Sequence, residues 1–308
     1  MRILRGLTPA CPPQDHVVTI GSFDGLHLGH QALIGAAREV ARDKGLLTAV
    51  LSFTPHPRAF FSPADPPAQI LNQRDKCRIL QSLGVDTLWL LPFRSALAQM
   101  SPAAFIDDIL VERIRTKALV VGRGFRFGAR RAGTLETLAA SGLQHGFSLR
   151  TIEPVEGPDG QAISSSLIRT HLQGGRLAAA QALLGRPIEC SGRVIHGQAL
   201  GRTLGFPTIN LLLPDPSALS GIYAVWVTGL GGERQPGVAS IGRRPTVTNH
   251  GHPLLEVFLL DWHGDAYGKR VCVTLHEFIR PERHFDSLES LTQQMHHDRE
   301  AALRSLTT

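Results

Sequence analysis

The sequence predicts an α/β unit with a mostly parallel sheet over residues 1–185, followed by a small antiparallel β-barrel with one closing helix over residues 186–308. Three observations carry this. From Val17 to Ile152, β-like and helix-like runs alternate, which is the rhythm of parallel strands joined by crossover helices. Near Leu184-Gly185-Arg186-Pro187 the helix formers stop at a glycine and a proline. After Pro187 the apolar residues recur at period two between turns, as in strands with one covered face. At 308 residues and 43% hydrophobic content the chain can bury two cores, and ordinary domain sizes imply about two domains.

In chain order, the first strand is Val17–Ile20. It runs into Gly21-Ser22-Phe23-Asp24-Gly25-Leu26-His27-Leu28-Gly29-His30 and then a helix over Gln31–Asp43. A strand, a glycine turn and a helix N-terminus in succession make an anion site, because the first N–H groups lack intrahelical partners and the dipole leaves about half a positive charge there. Gly21, Gly25 and Gly29 allow close approach of the backbone to a ligand, and His27 and His30 project from neighbouring faces of the turn. His-x-x-His beside an aspartate also suits a metal site or two surface histidines, but no further ligand cluster accompanies it.

The alternation continues through Thr48–Phe53, Asn72–Leu83, Val85–Leu91, Pro102–Arg113, Ala118–Gly122, Thr134–His145 and Ser148–Ile152. Gly45 and Gly84 follow helices, Asn72 can cap one, and Ser101-Pro102 puts proline at a first helical position. Ligands of such sheets sit at the carboxyl ends of strands, so the loops there are the informative ones. Phe53-Thr54-Pro55-His56-Pro57 holds His56 between two stiffening prolines. Gly122-Arg123-Gly124-Phe125-Arg126-Phe127-Gly128 offers aromatics and arginines for a planar ring and a phosphate, although Phe125 and Phe127 also suit packing beneath the loop. Ser164-Ser165-Ser166 opens a helix with Arg169 one turn on, which is either an N-cap or a second anion grip.

In the C-terminal part the runs Ile188–His196, Gly221–Thr228, Pro236–Ile241, Leu254–Leu260 and Val271–Ile279 read as barrel strands, and Leu288–Leu303 as an amphipathic helix. Gly197, Gly201, Arg202 and Gly205 mark a phosphate-type loop, but the spacing is one residue short of a P-loop and arginine stands where lysine is required. Thr208 and Asn210 alternate with apolar neighbours, so both can emerge on one strand face and offer hard oxygens to a nucleotide-bound Mg²⁺, although both also suit turn and cap bonding. Glu256 interrupts an apolar strand, which suits either proton abstraction or a plain outward-facing strand glutamate.

Composition excludes several classes. No apolar run reaches the ~18 residues of a membrane span, and a signal-peptide core is lacking, so a cytoplasmic protein is expected. Cys11, Cys77, Cys190 and Cys272 form no CxxC pair, which fits reduced thiols. The net charge of +6 rests almost wholly on arginine, suited to bidentate phosphate contacts. No arginine-dense block with interleaved aromatics points to nucleic acid.

These motifs together resemble the bacterial bifunctional riboflavin kinase/FAD synthetases. The first matches GxFDGxHxGH, the three later loops match FxPHP, VGxDFRFG and ISSTxIR, and the segment from Gly192 to Asn210 matches GRVxHGxxxGRxLGFPTAN. The likeness continues through Gly221-Ile222-Tyr223, Arg244-Pro245-Thr246 and Leu255-Glu256-Val257 to Arg280-Pro281-Glu282-Arg283-His284-Phe285. It implies a Rossmann-like nucleotidyltransferase domain over 1–185 and a riboflavin kinase barrel over 186–308. ATP, riboflavin and FMN would be the partners, with Mg²⁺ as cofactor, no nucleic acid or membrane, and a monomer or weak self-association. It implies catalytic roles for Glu256, His27, His30 and Arg169. Phosphate contacts would come from Gly21, Phe23, Asp24, Gly25, Gly29, Ser165, Ser166, Gly197, Gly201, Arg202 and Gly205. Flavin contacts would come from His56, Phe125, Arg126, Phe127 and Arg244, and metal contacts from Thr208 and Asn210. Two departures stand out: Gly124 replaces an acidic or amide residue, and Ser240 a common asparagine.

Overall fold

A computed structural model describes residues 1–6, 14–197, 206, 208–243 and 252–307. These divide into two compact units, Met1–Pro67 with Lys76–Ser164, and Ala68–Asp75 with Ser165–Thr308. The segments 68–75 and 165–184, which precede the texture change in sequence, therefore group with the barrel.

The first unit is built on six parallel strands, β1 (Arg2–Arg5), β2 (His16–Ile20), β3 (Leu47–Thr54), β4 (Thr87–Pro92), β5 (Thr116–Gly122) and β6 (Ser148–Ile152), in the order β1-β4-β3-β2-β5-β6. Every residue of β2 is buried, as a central parallel strand with both faces covered requires. Val17 packs with Val120 and with Ala36, Ala37 and Ala41 of helix α1 (Leu28–Lys44). On the opposite face Val18 and Ile20 join Leu51, Leu119 and Val121. Gly45 ends α1 in the left-handed region at φ 66°, where the missing Cβ removes the steric cost.

The remaining helices are α2 (Pro57–Phe61), α3 (Gln73–Ser82), α4 (Ser95–Ala98), α5 (Pro102–Ala104) and α6 (Leu135–His145). Ser101 caps α5 by accepting from the Ala104 N–H at 3.1 Å. The chain then widens into π-helical turns over Phe105–Arg113. Their buried residues Phe105, Ile106, Ile109 and Leu110, with Ile114 just beyond, all join the core around Val18 and Ile20. Strand β1 was not expected from the sequence; its four residues are mostly exposed at the sheet edge and carry no buried apolar pattern.

In the second unit, α7 (Ser165–Gln173) and α8 (Leu177–Leu184) precede six antiparallel strands. These are β7 (Ile188–Arg193), β8 (Thr208–Leu212), β9 (Gly221–Thr228), β10 (Gln235–Arg243), β11 (Pro253–Leu259) and β12 (Arg270–Arg280), in the order β7-β12-β9-β10-β11-β8. The Ile195 N–H bonds the Asn210 carbonyl at 2.9 Å and joins the ends of the sheet. Val225, Val227, Ala239, Leu255, Val257, Val273 and Leu275 are all 1% exposed or less and fill the interior. The alternate residues Val238, Ser240, Glu256, Phe258, Thr208 and Asn210 face outward.

Helix α9 (Leu288–Thr307) lies over that outer face. Arg280, at the end of β12, anchors it through a fork: Nε and Nη2 donate to the two carboxylate oxygens of Asp298 at 2.8 and 2.7 Å, and Gln294 donates a third bond at 2.9 Å. Asp298 is only 4% exposed. Removing one partner of such a pair strands the other charge, at a cost of about 3–5 kcal/mol. Asp298→Ala is therefore expected to lower the unfolding free energy of this unit by about 3–5 kcal/mol in urea titrations. A loss below about 1 kcal/mol, the worth of an exposed pair, would show that α9 is held without it.

Candidate active sites

In the parallel sheet the chain advances from β2 through β3 to β4 and then returns to β5 on the other side of β2. The loops that follow β2, β3 and β5 thus leave one edge of three adjacent strands, the switch point where open α/β sheets bind ligands. These loops carry His27 and His30, His56, and Phe125 to Phe127.

The turn after β2 is tightly held. The Gly21 N–H donates to the Leu51 carbonyl at 3.1 Å, and the Gln31 side-chain amide to the Leu26 carbonyl at 2.9 Å. The Ser22 carbonyl accepts from the Ser52 hydroxyl at 3.3 Å and from the Lys76 ammonium at 2.8 Å. Phe23 and Leu26, both fully buried, sit in the left-handed region at φ 50° and 48°. Non-glycine residues there cost roughly 1–3 kcal/mol each, and such strain persists where the surroundings impose it, typically at functional sites.

His27 stands at the N-cap of α1 without a side-chain capping bond, so the helix start keeps its donors available. Its ring stacks on His30 at a centroid distance of 3.6 Å, and Phe23 packs on His30 at 5.1 Å. A side chain at Gly29 would press on the His27 ring, which explains the glycine there. The Nδ1 atoms of both imidazoles are buried with no hydrogen-bond partner among the described residues. Burial pushes His27 down to about 4 against the pull of the Asp24 carboxylate. Burial also holds His30 well below its ordinary value, with His27 and Lys76 adding repulsion. Both rings are neutral at neutral pH.

His56 caps α2, its Nδ1 accepting from the Arg58 N–H at 3.1 Å. That bond makes the neutral ring the Nε2–H tautomer, a donor toward the loop's outer side. Phe127 belongs to the core, at 5.5 Å from Phe105, whereas Phe125 is only partly buried and stacks on Phe127 at 5.7 Å. Arg126 is exposed. A side chain at Gly124 would meet nothing within 4 Å. Ser165, Ser166 and Arg169 lie on α7 in the other unit, where Arg169 Nε donates to the Ala68 carbonyl at 2.6 Å.

In the barrel, Glu256 pairs with Ser240 on one side and Asn210 on the other, while Phe258 pairs with Thr208. Directly opposed residues have Cβ atoms about 4.5–5.5 Å apart, so the carboxylate, the amide and two hydroxyls form one polar patch. Glu256, Thr208 and Ser240 line a cavity of about 460 Å³ on the outer face, walled by Leu291, Met295 and Asp298 of α9 and by Glu282 to Phe285. The Gly197 backbone lies so close to the Asn210 amide that any side chain there would collide with it. Gly201, Arg202, Gly205 and Arg244 lie outside the described residues. Ser52 and Lys76 were not anticipated; Lys76 had a signal, since it shares a helix face with Ile79 and Leu80 where an apolar residue is expected.

Comparison with known proteins identifies the family. The model of the FAD synthetase family matches residues 11–167 and that of the riboflavin kinase family residues 184–306. The bifunctional riboflavin kinase/FMN adenylyltransferase of Escherichia coli (strain K12) is 42% identical over 97% of this chain and 96% of its own. That of Pseudomonas fluorescens is 41% identical over 98% and 97%, and that of Bacillus subtilis (strain 168) 36% over 94% and 92%. A crystal structure from Streptococcus pneumoniae, described as a macrolide-efflux protein, is 33% identical with a TM-score of 0.80 over 98% of this chain and 99% of that one. Among the described residues, no helix is long and apolar enough to cross a membrane. With two family models in tandem and relatives matched almost end to end, the chain belongs to the bifunctional riboflavin kinase/FMN adenylyltransferases.

Proposed function

We propose that the two reactions of this enzyme, riboflavin to FMN and FMN to FAD, run at two separate sites, the kinase within 186–308 and the adenylyltransferase within 1–185. The observation that supports this most directly is that each cluster is assembled inside one unit: Glu256 with Thr208 and Ser240 in the barrel cavity, and His27 with His30 at the start of α1. Both reactions consume ATP. The assigned setting is the cytoplasm, and the assigned state is a monomer or weak self-association.

In the kinase step Glu256 accepts the proton of the ribityl 5′-hydroxyl as that oxygen attacks the γ-phosphorus of ATP, the bond from that phosphorus to the β,γ-bridging oxygen breaks and ADP leaves. Thr208 and Asn210 present hard oxygens on one strand face and suit Mg²⁺, which would neutralise charge on the ATP phosphates. Arg202, Gly197, Gly201 and Gly205 contact phosphate, and Arg244 the flavin, on the strength of the sequence motif. In the second step an oxygen of the FMN phosphate attacks the α-phosphorus of ATP, the bond to the β-phosphate breaks and pyrophosphate leaves. His27 and His30 act as neutral donors, beside main-chain N–H groups of the first turn of α1. His56, Phe125 and Arg126 hold the flavin, with Phe127 supporting Phe125 from the core. For Ser165 and Ser166 a phosphate-binding role, and for Arg169 a catalytic one, rest on the sequence motif alone.

His27→Ala or His30→Ala is expected to lower FAD formation by about 10²–10³ while FMN formation continues. Glu256→Gln is expected to lower FMN formation by about 10²–10⁴, with added FMN still converted. Separating FMN from FAD after incubation with riboflavin and Mg-ATP reads both, and equal loss of the two activities in any one variant defeats the two-site reading.

Gly124→Asp, which has room for its carboxylate, should lower the apparent KM for FMN or ATP by the worth of one hydrogen bond, about 0.5–1.5 kcal/mol. Unchanged KM values for both would make the loop indifferent to that side chain.

The histidines also set a pH window. His27 titrates near 4 when folded and near 6.5 when unfolded, so between these values the unfolded chain binds the extra proton and stability falls as pH falls. The contribution is complete above about 6.5 and amounts to about 3 kcal/mol lost by pH 4. Urea midpoints of the wild type between pH 7 and 4 should drop more steeply than those of His27→Gln; parallel slopes would place the ring in solvent.

A further inference from the structure

The adenylyl-transfer site needs fixed positive charge near the phosphates, and its two imidazoles do not supply it. Both are held neutral by burial. A cation in direct contact with the turn is Lys76 on α3, a residue the sequence motifs do not mark. It is 8% exposed, and among the described residues its ammonium has a single acceptor, the Ser22 carbonyl at 2.8 Å. Burial pulls the lysine's pKa below its ordinary value, the Asp24 carboxylate pulls it back up, and the ammonium disfavours protonation of His30.

A buried ammonium normally needs a paired anion and acceptors for all three of its N–H groups. Here two N–H groups remain, directly beside a helix start whose own donors are also available. The backbone around them is strained at Phe23 and Leu26. Such an arrangement is costly alone and is completed by an anion that arrives with the ligand. Ser22 contributes no side-chain bond to Lys76; its carbonyl aims the ammonium, and the same bond fixes the left-handed turn that follows.

We infer that Lys76 is a phosphate-contacting residue of the adenylyl-transfer site, donating from Nζ to the ATP polyphosphate while it braces the Ser22 carbonyl. This rests on the placement of FAD synthesis at the His27 turn. The division of labour is then explicit: Lys76 carries charge, the imidazoles and main-chain N–H groups carry direction, and Asp24 keeps the lysine protonated in a dry setting.

The test uses the full chain with Lys76→Met and Lys76→Arg, assayed forward from FMN and Mg-ATP and in reverse from FAD and pyrophosphate, which regenerate FMN and ATP. Lys76→Met should lower kcat/KM for FAD formation at least 100-fold and raise KM for pyrophosphate at least tenfold. Lys76→Arg, which keeps the charge, should recover to within about tenfold of the wild type. FMN formation by the same molecules reports that they are folded and should stay within twofold. Lys76→Met within threefold of the wild type in both directions overturns the inference. So does Lys76→Arg no better than Lys76→Met with KM for pyrophosphate unchanged, which would be a bracing role only. So does loss of FMN formation together with FAD formation in both variants. His27→Ala separates the levels: if it spares FAD synthesis the site assignment fails, and if it abolishes FAD synthesis while Lys76→Met does not, only the lysine assignment fails.

Discussion

A helix that begins immediately after a buried parallel strand must leave its first N–H groups without backbone partners, and the N-terminal unit is arranged around that constraint. The chain does not satisfy those donors with a capping side chain: His27 occupies the N-cap and makes no capping bond, and no acidic residue stands in the first turn. The neighbouring elements brace the turn at its carbonyls instead, through Ser52, Lys76 and Gln31. The result is a rigid turn with an open positive end. Strain at Phe23 and Leu26 is tolerated because both side chains are fully buried.

The second unit meets its constraint differently. Antiparallel strands alternate their side chains between two faces, so one set can fill the interior while the other carries chemistry. Val257 and Leu255 face inward, and Glu256 between them faces out. The outer face then needs its own cover, which α9 provides through the Arg280–Asp298 fork. The polar residues Glu256, Thr208 and Ser240 and the hydrophobic core are thus on opposite sides of one sheet, and α9 is both a structural layer and a wall of the cavity.

How much of this was legible in the sequence follows from which interactions are local. The strands Ser148–Ile152 and Gly221–Thr228 could be read to the residue, because their periodicity and bounding turns lie within the segment. Thr208 and Asn210 were legible as a face, since period two fixes which side chains of one strand emerge together, and Glu256 as a carboxylate in an apolar strand; that Asn210 lies opposite Glu256 depends on the β8–β11 register, which no short window contains. Phe125 and Phe127 looked equivalent, and only the packing of Phe127 against Phe105 separates them. The edge strand β1 had no apolar alternation to announce it, and the π-helical turns read as an ordinary helix, because the buried residues Phe105, Ile106, Ile109 and Leu110 fit ordinary helical spacing as well. The grouping of residues 165–184 with the barrel is tertiary: Gln181 donates to the Leu275 carbonyl at 3.0 Å, a contact that helical periodicity cannot foresee.

The open start of α1 also determines what a mutational survey of this enzyme would see. Donors that belong to the main chain of residues 28–30 survive almost every substitution at those positions, since only proline removes an N–H. Side-chain replacement therefore exposes the imidazoles and leaves the peptide contribution unmeasured. The same property makes the identity of Leu28 of little consequence to the array of N–H groups, whereas Gly29 and His30 are constrained by their contacts with the His27 ring.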